Sequence, residues 1–355
     1  MQPQKLYSIR GRGAANNPPN RFEPLTFEPD EDARDAEDRG PRTQYLRDST
    51  RAILARNDSP DIPFETSINP YRGCEHGCVY CYARPTHEYL GFSAGLDFES
   101  RILVKTDAAG LLRRALMARS WRPQVIAISG VTDPYQPIER KLRITRGCLE
   151  VLAEFRNPVA IITKNHLVTR DADVLGDLAS DGAAAVNVSI TSLDPELQRV
   201  LEPRTSIPAK RLAALEVLAA AGVPVRVMIA PVIPGVNDHE VPAILRAAAE
   251  AGAERAGWIM LRLPHAVAPL FENWLERHMP DRKDKVLNRL RAMRGGKLYD
   301  ARFGDRMRGE GHFAEQIGAL FEATARKLGL NVERRALSTA AFQRPAPGGQ
   351  LGLFD

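Results

Sequence analysis

Apolar residues recur along the chain in short runs separated by longer amphipathic segments. From about Phe64 onward, runs rich in Val and Ile alternate with segments whose apolar residues fall three or four positions apart, and these are the patterns of strands and of helices. The runs predict six strands, at 65–69, 124–129, 159–163, 185–190, 225–229 and 257–261. Helices are predicted between them, in DAAGLLRRALMARS, TRGCLEVLAEF, DADVLGDLAS, AKRLAALEVLAAAG and EVPAILRAAAEAG.

This alternation of strand and helix predicts an α/β fold. Six strand–helix units with Val- and Ile-rich strands indicate a parallel sheet covered by helices. Because crossover connections are right-handed, the units should curl into a partial (β/α)6 barrel that resembles a TIM barrel. In such folds the chemistry lies in the loops that follow the carboxyl ends of the strands.

Composition divides the chain into four parts. Residues 1–60 are rich in Pro, Gly, Arg and acidic residues, so we expect a largely irregular, partly disordered extension with little capacity to form a core. Within it, DSTRAILARN (48–57) predicts a short helix. Residues 61–265 form the α/β core, residues 266–335 a basic and mostly helical extension, and residues 336–355 a flexible tail.

The net charge of +5 comes from one late segment. Residues 281–308 contain ten Lys or Arg and four Asp, a balance of 10 − 4 = +6, which leaves −1 for the rest of the chain. Such a segment could follow a phosphate backbone, so nucleic acid is an expected partner. The alternative is a solvated helix face, because an apolar stripe lies between the charges, at Val286, Leu287, Leu290 and Met293.

Cysteine usage and hydropathy indicate the compartment. Four cysteines in 355 residues are too few for a disulfide scaffold, and the sequence begins without a basic-then-apolar export segment, so we expect a reducing, cytoplasmic location. The longest apolar stretch, from about residue 217 to 236, contains Arg226 and three prolines. We therefore expect no membrane-spanning segment.

Three of the four cysteines lie in one loop, RGCEHGCVYCYARPTHEYLGF, after the first predicted strand. They have the spacing Cys-x3-Cys-x2-Cys, at Cys74, Cys78 and Cys81. Three thiolates can hold a [4Fe–4S] cluster and leave one iron open to a non-protein ligand, which suits catalysis. A Cys3His zinc site with His76 or His87 is the alternative, but zinc sites usually pair two separated knuckles, and no second one follows.

The loop resembles the signature of the radical S-adenosylmethionine (SAM) superfamily, Cys-x3-Cys-x-aromatic-Cys, with Tyr80 at the aromatic position. The segment SGVTDPYQPIER (129–140) resembles an element of the branch that contains spore photoproduct lyase, a DNA-repair enzyme. The resemblance covers roughly residues 60–265. It implies a radical SAM enzyme that uses a [4Fe–4S] cluster and SAM, receives an electron from a reductant protein, forms a 5′-deoxyadenosyl radical and acts on nucleic acid.

The resemblance also assigns the loop after the second strand to SAM. In this branch the loop approaches the methionine end of SAM, which makes Ser129, Thr132 and Asp133 candidates for binding its ammonium group. The alternative is a simple turn in which Asp133 and Pro134 end the strand.

Three further residues are candidates for SAM contacts. Lys164 lies just beyond the third strand, and the resemblance implies that its ammonium pairs with the SAM carboxylate; a solvated lysine at a helix start is the alternative. Asn187 and Ser189 end the fourth strand on one face, and their amide and hydroxyl groups suit the ribose hydroxyls.

Cys148 invites comparison with the hydrogen-donor cysteine of spore photoproduct lyase. Its neighbours in ITRGCLEVLAEF are apolar, which predicts a buried helix position, and no motif aligns it with the donor. The catalytic residues therefore remain unassigned. Two other functions stay open: a radical SAM enzyme acting on a peptide or small molecule, and a zinc-stabilised nucleic-acid-binding protein without catalysis.

The tail RPAPGGQLGLFD (344–355) ends in apolar residues after a flexible tether. Its QLGLF resembles the Gln-Leu-x-Leu-Phe peptides by which bacterial DNA-maintenance proteins bind the replication sliding clamp. Gln350 would hydrogen-bond to the clamp, while Leu351, Leu353 and Phe354 supply the apolar contacts. The alternative is a tail that folds back onto its own barrel.

A peptide of residues 344–355 should bind purified bacterial sliding clamp with micromolar affinity. The same peptide with Leu353→Ala and Phe354→Ala should show no detectable binding, because it loses two buried apolar anchors. Isothermal titration of both peptides makes the comparison. Equal binding by the two peptides, or by neither, would contradict clamp recognition.

Overall fold

The computed structural model describes residues 9–23, 41–332 and 336–345. Gln350, Leu351, Leu353 and Phe354 lie outside these residues, so clamp binding stays a prediction. The strands are β1 (Gln44–Arg47), β2 (Leu54–Arg56), β3 (Thr66–Ile68), β4 (Tyr71–Arg72), β5 (Arg101–Val104), β6 (Ile126–Ile128), β7 (Val159–Thr163), β8 (Ala184–Ser189), β9 (Val225–Val232) and β10 (Arg255–Met260).

Helices connect most of these strands. They are α1 (Leu96–Ser100), α2 (Ala108–Met117), α3 (Glu139–Leu142), α4 (Ile144–Phe155), α5 (Ala172–Ser180), α6 (Pro195–Leu201), α7 (Pro208–Ala220), α8 (Val241–Glu250), α9 (Val267–His278), α10 (Lys283–Ala292), α11 (Asp305–Arg308) and α12 (His312–Lys327). Short 3-10 turns lie at Arg84–Leu90, His166–Asp171, Asp238–Glu240 and Pro280–Arg282.

A seven-stranded sheet in the order β10-β9-β8-β7-β6-β3-β2 organises the fold. Strands β3 and β6 to β10 are parallel, whereas β2 pairs with β3 in antiparallel fashion at one edge. The six parallel strands are those that the apolar runs predict, and the predicted helices lie between them. The α/β fold and the partial barrel are therefore confirmed.

The two faces of the sheet differ in chemistry. Along β9, Val225, Val227 and Ile229 are buried in the core that the helices complete, and the residues between them are partly exposed. The same alternation runs through β7, β8 and β10. The partly exposed positions share the face away from the helices, which we call the inner face.

A second, three-stranded sheet has the order β1-β5-β4. It positions the cysteine loop from one side, because β4 ends immediately before that loop and pairs with β5. Tyr45 on β1 donates a hydrogen bond to the Glu75 carboxylate at 3.0 Å. Sequence reasoning did not predict this small sheet, since its strands are only two to four residues long.

The predicted helix at 48–57 is wrong. The Asp48 carboxylate accepts a hydrogen bond from the backbone N–H of Thr50 at 2.8 Å and forms a local turn rather than a helix cap. Residues 54–56 then pair with 66–68 as β2. Pairing along the edge of the sheet outweighs the weak helical preference of this segment.

The segment 9–23 lies in the extension for which the sequence indicates little core, yet it packs against the cysteine loop. Arg12, Gly13 and Ala14 are buried. A Cβ atom on Gly13 would lie 1.8 Å from the carbonyl oxygen of Gly77. Only glycine permits this approach of two backbones, and a Gly-rich stretch in an irregular segment is the signal that sequence reasoning missed.

The chain that follows the sheet contains α9 to α12. The apolar stripe is buried, at Val286, Leu287 and Leu290 on α10 and at Met293 just after it. No helix among the described residues is long and apolar enough to cross a membrane.

Gly13→Ala should lower the free energy of unfolding by about 1–3 kcal/mol, because its methyl group would overlap the Gly77 carbonyl. Denaturant unfolding measures the change, and limited proteolysis shows whether segment 9–23 has detached. The matched control is Gly147→Ala on α4, whose new Cβ would lie 3.5 Å from Ala109 and which should be neutral or stabilising. Equal stability and equal proteolysis of the two variants would contradict the packing.

Candidate functional site

The cysteine loop is a buried turn between β4 and the 3-10 turn Arg84–Leu90. Cys74 and Cys78 are buried, Cys81 is partly exposed, and all three are free thiols. Gly73 and Gly77, which each precede a cysteine, have φ angles of 79° and 68°, in the region that favours glycine. The backbone N–H of Cys74 donates to the Phe98 carbonyl at 2.9 Å.

A buried ion pair between Arg84 and Glu99 connects the loop to α1. Arg84 also donates to the carbonyl oxygen of Cys78 at 3.0 Å. The Glu99 carboxylate accepts from the backbone N–H groups of Gly13 and Ala14, at 3.0 and 2.8 Å. One carboxylate therefore joins the cysteine loop, helix α1 and the N-terminal segment.

The surroundings of the three thiols disfavour their negatively charged thiolate forms. Burial raises the pKa of Cys74, Cys78 and Cys81, and the charge of Asp133 and of the other thiols raises that of Cys74 further. Cationic iron is the kind of partner that stabilises thiolates in such a place. The donor set thus fits an iron–sulfur cluster.

Asp133, a candidate SAM ligand, lies within the loop between β6 and α3, and its side chain is almost wholly buried. Its carboxylate accepts from the Thr163 hydroxyl at 2.7 Å and from the backbone N–H of Lys164 at 2.8 Å. His76 lies 3.4 Å from it. Burial alone would raise the pKa of Asp133, but the charge of His76 and these hydrogen bonds hold it below its ordinary value. Asp133 therefore ties the cysteine loop to the end of β7.

Thr132 and Ser129 lie beside the same loop. The Thr132 hydroxyl donates to the carbonyl oxygen of Gly73 at 2.6 Å. The Ser129 hydroxyl donates to the carbonyl oxygen of Thr132 at 3.1 Å, and Ser129 has a φ angle of 150°, a conformation rare for residues with a side chain. The structure thus brings Ser129, Thr132 and Asp133 together against the cysteine loop.

Lys164 is paired with a buried carboxylate that sequence reasoning missed. Its ammonium nitrogen lies 3.2 Å from Glu202 and donates to the carbonyl oxygen of Ala230 at 2.9 Å and to the hydroxyl of Thr191 at 3.2 Å. It also lies 5.7 Å from the centre of the Tyr80 ring. Lys164, a predicted SAM contact, therefore lies at the carboxyl edge of the sheet, next to the cysteine loop.

Glu202 is the centre of that group. It accepts hydrogen bonds from the hydroxyls of Tyr80 and Thr191 and pairs with Arg211 as well as Lys164. Burial alone would raise the pKa of Glu202, but the positive charges of Arg211 and Lys164 hold it below its ordinary value. In the sequence Glu202 stands in an ordinary-looking EPR tripeptide, so nothing there indicates a buried charge.

Asn187 and Ser189 both lie on β8 but in different surroundings. The Asn187 amide donates to the carbonyl oxygen of Ile161 at 3.0 Å and is partly exposed on the inner face. Ser189 is buried. Its carbonyl oxygen accepts from Arg211 at 3.0 Å.

Cys148 lies on α4 and is not brought to the cysteine loop. It is fully buried in the core with Leu149 and Leu152. Burial, followed by the negative charge of Glu139, raises its pKa to about 12. These surroundings are those of a small apolar core residue.

The two histidines of the zinc alternative make other contacts. The Nε2 atom of His87 lies 3.0 Å from the carbonyl oxygen of Arg101, and burial lowers the pKa of His87 to about 4. His76 contacts Asp133 and Asn165. Within the described ranges, no three His, Cys, Asp or Glu side chains are arranged around a single metal ion.

Much of the positive charge of residues 281–308 is engaged inside the chain. Arg289 pairs with Asp238 and Arg306 with Asp61. Arg294 is buried and donates to the carbonyl oxygen of Leu261 at 2.8 Å. The described residues provide no such partner for three exposed side chains of this segment, Arg282, Lys285 and Lys297.

A partial barrel with three free thiols at the carboxyl ends of its strands is the class of site in which an iron–sulfur cluster binds. The sequence profile of the Radical SAM superfamily matches residues 68–248. The chain belongs to this superfamily, whose members use a [4Fe–4S] cluster and SAM.

The chain is also similar to proteins whose function is not established. Uncharacterized proteins of Mycobacterium tuberculosis and Mycobacterium bovis are 39% identical over 222 residues, which cover 62% of this chain and 65% of theirs. An uncharacterized protein of Methanocaldococcus jannaschii is 31% identical over 173 residues, 49% of this chain and 62% of its own. The chain therefore spans less than two thirds of the length of these relatives.

Among solved structures, the chain resembles spore photoproduct lyase. The structure of that enzyme complexed with dinucleoside spore photoproduct has a TM-score of 0.59 and 18% sequence identity, and the match covers 81% of this chain and 80% of the lyase. A structure of a lyase mutant with bound AdoMet and the same dinucleoside gives the same values. At this identity, the likeness establishes the shared fold.

Glu202→Gln should lower the free energy of unfolding at pH 7 by about 3–5 kcal/mol, because Lys164 and Arg211 lose their buried counter-charge. Because the pKa of Glu202 is lower in the folded state, the stability that it supplies is present above its ordinary value of 4.5 and is lost as the pH falls below that. The gap between variant and wild type should therefore narrow in acid. Denaturant unfolding at pH 7 and at pH 4 and below measures it.

The matched control is Glu196→Gln, which removes an exposed carboxylate paired with Arg199. This change should alter the free energy of unfolding by about 0.5 kcal/mol or less. A similar cost for the two variants, or a Glu202→Gln gap that stays constant in acid, would contradict the assignment.

Proposed function

We propose that this protein is a radical SAM enzyme in which Cys74, Cys78 and Cys81 hold a [4Fe–4S] cluster, and that its substrate is a nucleic acid. The observation that carries the proposal is the arrangement of the three thiols. They lie free in one tightly turned loop, at the mouth of a partial barrel of the radical SAM superfamily. This membership favours the cluster over the zinc alternative.

When bound, the cluster would supply the electron for reductive cleavage of SAM, which is the source of hydrogen-abstraction chemistry in this superfamily. The chain holds the loop in place through three buried carboxylates, Glu99, Asp133 and Glu202. Burial of the thiols keeps water away from the metal-binding side. The electron would come from a reductant protein, and the reducing cytoplasm is the location that suits this chemistry.

Lys164 is the proposed partner of the SAM carboxylate. An ammonium group has three donor hydrogens, and here they face Thr191, Ala230 and Glu202. Lys164 would exchange one of these contacts for the carboxylate, while Glu202 keeps the lysine charged and close to the loop. Ser129, Thr132 and Asp133 would form the ammonium side of the site, and Asn187 and Ser189 the ribose side.

Exposed groups beside the cysteine loop support a nucleic-acid substrate. Tyr82, immediately after Cys81, is 48% exposed. The guanidinium of Arg262 lies 4.5 Å from the centre of its ring. Aromatic rings and arginine planes are the groups on which unpaired bases stack. The fold that this chain shares with spore photoproduct lyase, solved with a dinucleoside, agrees with this substrate class.

Each of Cys74→Ala, Cys78→Ala and Cys81→Ala should abolish the brown chromophore and the cleavage of SAM after anaerobic reconstitution, because a cluster needs all three thiolates. Iron and sulfide analysis, absorption spectra and 5′-deoxyadenosine formation, with and without added DNA or RNA, measure this.

Cys148→Ala is the matched control. It should retain the iron and the brown chromophore, because Cys148 lies on α4 in the hydrophobic core, away from the cysteine loop. Unchanged iron in all three loop variants would refute the cluster site. Stoichiometric zinc without sulfide in the wild type would instead favour the non-catalytic function. A peptide or small molecule becomes the better substrate class if neither DNA nor RNA binds.

A further inference from the structure

A cavity lies at the carboxyl ends of two parallel strands in the small sheet. Strands β1 and β5 pair in parallel. Residues 47–50, at the end of β1, and residues 105–107, after β5, line the cavity together with Leu111 on α2. Its volume is about 440 Å³, which is within the range of small-molecule sites. The carboxyl ends of parallel strands are also where ligands usually bind in α/β folds.

The cavity is separate from the site assigned to the cluster and SAM. Strand β4 runs antiparallel to β5, with Tyr71 opposite Val104 and Arg72 opposite Leu103. The chain therefore leaves the cavity end of this sheet as it proceeds along β4 toward Cys74. The proposed SAM residues lie on or after strands β6, β7 and β8 of the large sheet. Radical SAM chemistry thus assigns no role to the cavity.

Lys105 is a buried charged residue of the cavity lining. It is 8% exposed, and its ammonium group has no hydrogen-bond acceptor or paired carboxylate within the described part of the chain. Its backbone is fixed in place, because its N–H donates to the Pro70 carbonyl and its carbonyl accepts from Ala108, each at 3.0 Å. Burial of an ammonium group without an acceptor has a cost in free energy. An anion in the cavity would remove that cost.

The surroundings of Lys105 also affect its protonation. Burial, followed by the charge of Arg72, lowers the pKa of Lys105, whereas the charge of Asp48 raises it. Burial therefore disfavours the ammonium form in the empty cavity. A bound anion would favour that form, as an opposite charge does at close range.

Two carboxylates also line the cavity, and each already has a cation. Asp48 lies 2.8 Å from Arg72, and Asp107 lies 2.9 Å from Arg114. Among the described residues, two cations of the lining have no such partner: Arg47 and Lys105. Four cations and two carboxylates give a balance of 4 − 2 = +2, which favours an anionic ligand.

The remaining polar groups of the lining can donate hydrogen bonds. The hydroxyls of Ser49 and Thr106 belong to the lining, and neither has a hydrogen-bond partner in the described ranges. An ammonium group adds three donor hydrogens and the Arg47 guanidinium adds five. So many donors exceed what the two oxygens of a carboxylate need and suit an anion with more oxygens. Leu111 supplies an apolar wall for the rest of a ligand.

We propose that this cavity binds the phosphate group of a phosphorylated ligand, with Lys105 as its main contact. Lysine is a common phosphate-binding residue, and serine and threonine hydroxyls are frequent donors to phosphate oxygens. Two sources carry this chemistry, a small phosphate ester and a phosphodiester of a nucleic acid. The inference is independent of the proposed function, because it uses none of the residues assigned to the cluster or to SAM.

The experiment measures phosphate binding by the full chain in a phosphate-free buffer. Inorganic phosphate and ribose 5-phosphate should each raise the Tm of the wild type, because a ligand that binds only the folded state stabilises it, and ribose should not. In Lys105→Met, isothermal titration should give a Kd at least about tenfold weaker for both phosphates. Without ligand, this variant should unfold at the wild-type temperature or above it, because it loses a buried charge that has no partner.

Lys141→Met is the matched control, since it removes the same charge from an exposed position on α3. It should change neither the Kd nor the rise in Tm. A single-stranded 12-mer DNA identifies the source of the phosphate. Displacement of ribose 5-phosphate by this DNA would assign the cavity to the nucleic-acid backbone, and ribose 5-phosphate binding that the DNA leaves unchanged would assign it to a small phosphate ester.

Four results would overturn the phosphate site: equal phosphate affinity in Lys105→Met and the wild type, an equal loss in Lys141→Met, tighter binding of citrate than of either phosphate, or a ligand-free Lys105→Met that unfolds well below the wild type. Iron content and SAM cleavage separate this inference from the proposed function. Lys105→Met should retain both. A wild type without iron would remove the enzyme assignment and leave the phosphate comparison valid.

Discussion

A buried carboxylate needs hydrogen-bond donors or cations as partners, and this constraint determines the conformation of the cysteine loop. Glu99, Asp133 and Glu202 each lie out of solvent, where an unpaired charge costs several kcal/mol. Each meets a donor in or beside the loop: Arg84 for Glu99, His76 for Asp133 and Tyr80 for Glu202. Through their remaining oxygens, the same carboxylates bind other parts of the fold. Three thiols without disulfides or a large apolar core of their own are held in place in this way.

The same constraint affects the choice of a single loop conformation and the free energy of folding differently. Replacing buried ion pairs by apolar residues of similar volume is often neutral or stabilising, whereas removing one partner is strongly destabilising. We therefore expect the pairs here to add more to the uniqueness of the loop conformation than to its net free energy. Their positions support this, because Glu99 reaches segment 9–23, Asp133 the end of β7, and Glu202 both Lys164 and Arg211. A displacement of any of these elements would therefore alter the conformation of the cysteine loop.

The sequence predicts the repeating parts of this fold and fails where a contact is unique. Val- and Ile-rich runs give the six parallel strands, because burial on one face imposes a period of two. Cysteine spacing singles out the loop to which we assign the cluster. The edge strand at 54–56 follows from pairing with 66–68, which no local pattern encodes. Glu99 and Glu202 look like ordinary surface acids in sequence, since burial and partners are set by elements distant along the chain. Arg226 carries a readable signal, as an arginine inside an apolar strand.

The inner face explains why that arginine belongs in an apolar strand. The opposite face packs against helices and accepts only apolar side chains, as Val225 and Val227 show. Residue 226 alternates away from them, so its charge does not disturb helix packing and lies on the inner face. The row above it holds Met228 beside Gly257, where a side chain on the glycine would lie 2.7 Å from the methionine sulfur. Space there is limited by a flexible side chain rather than by backbone.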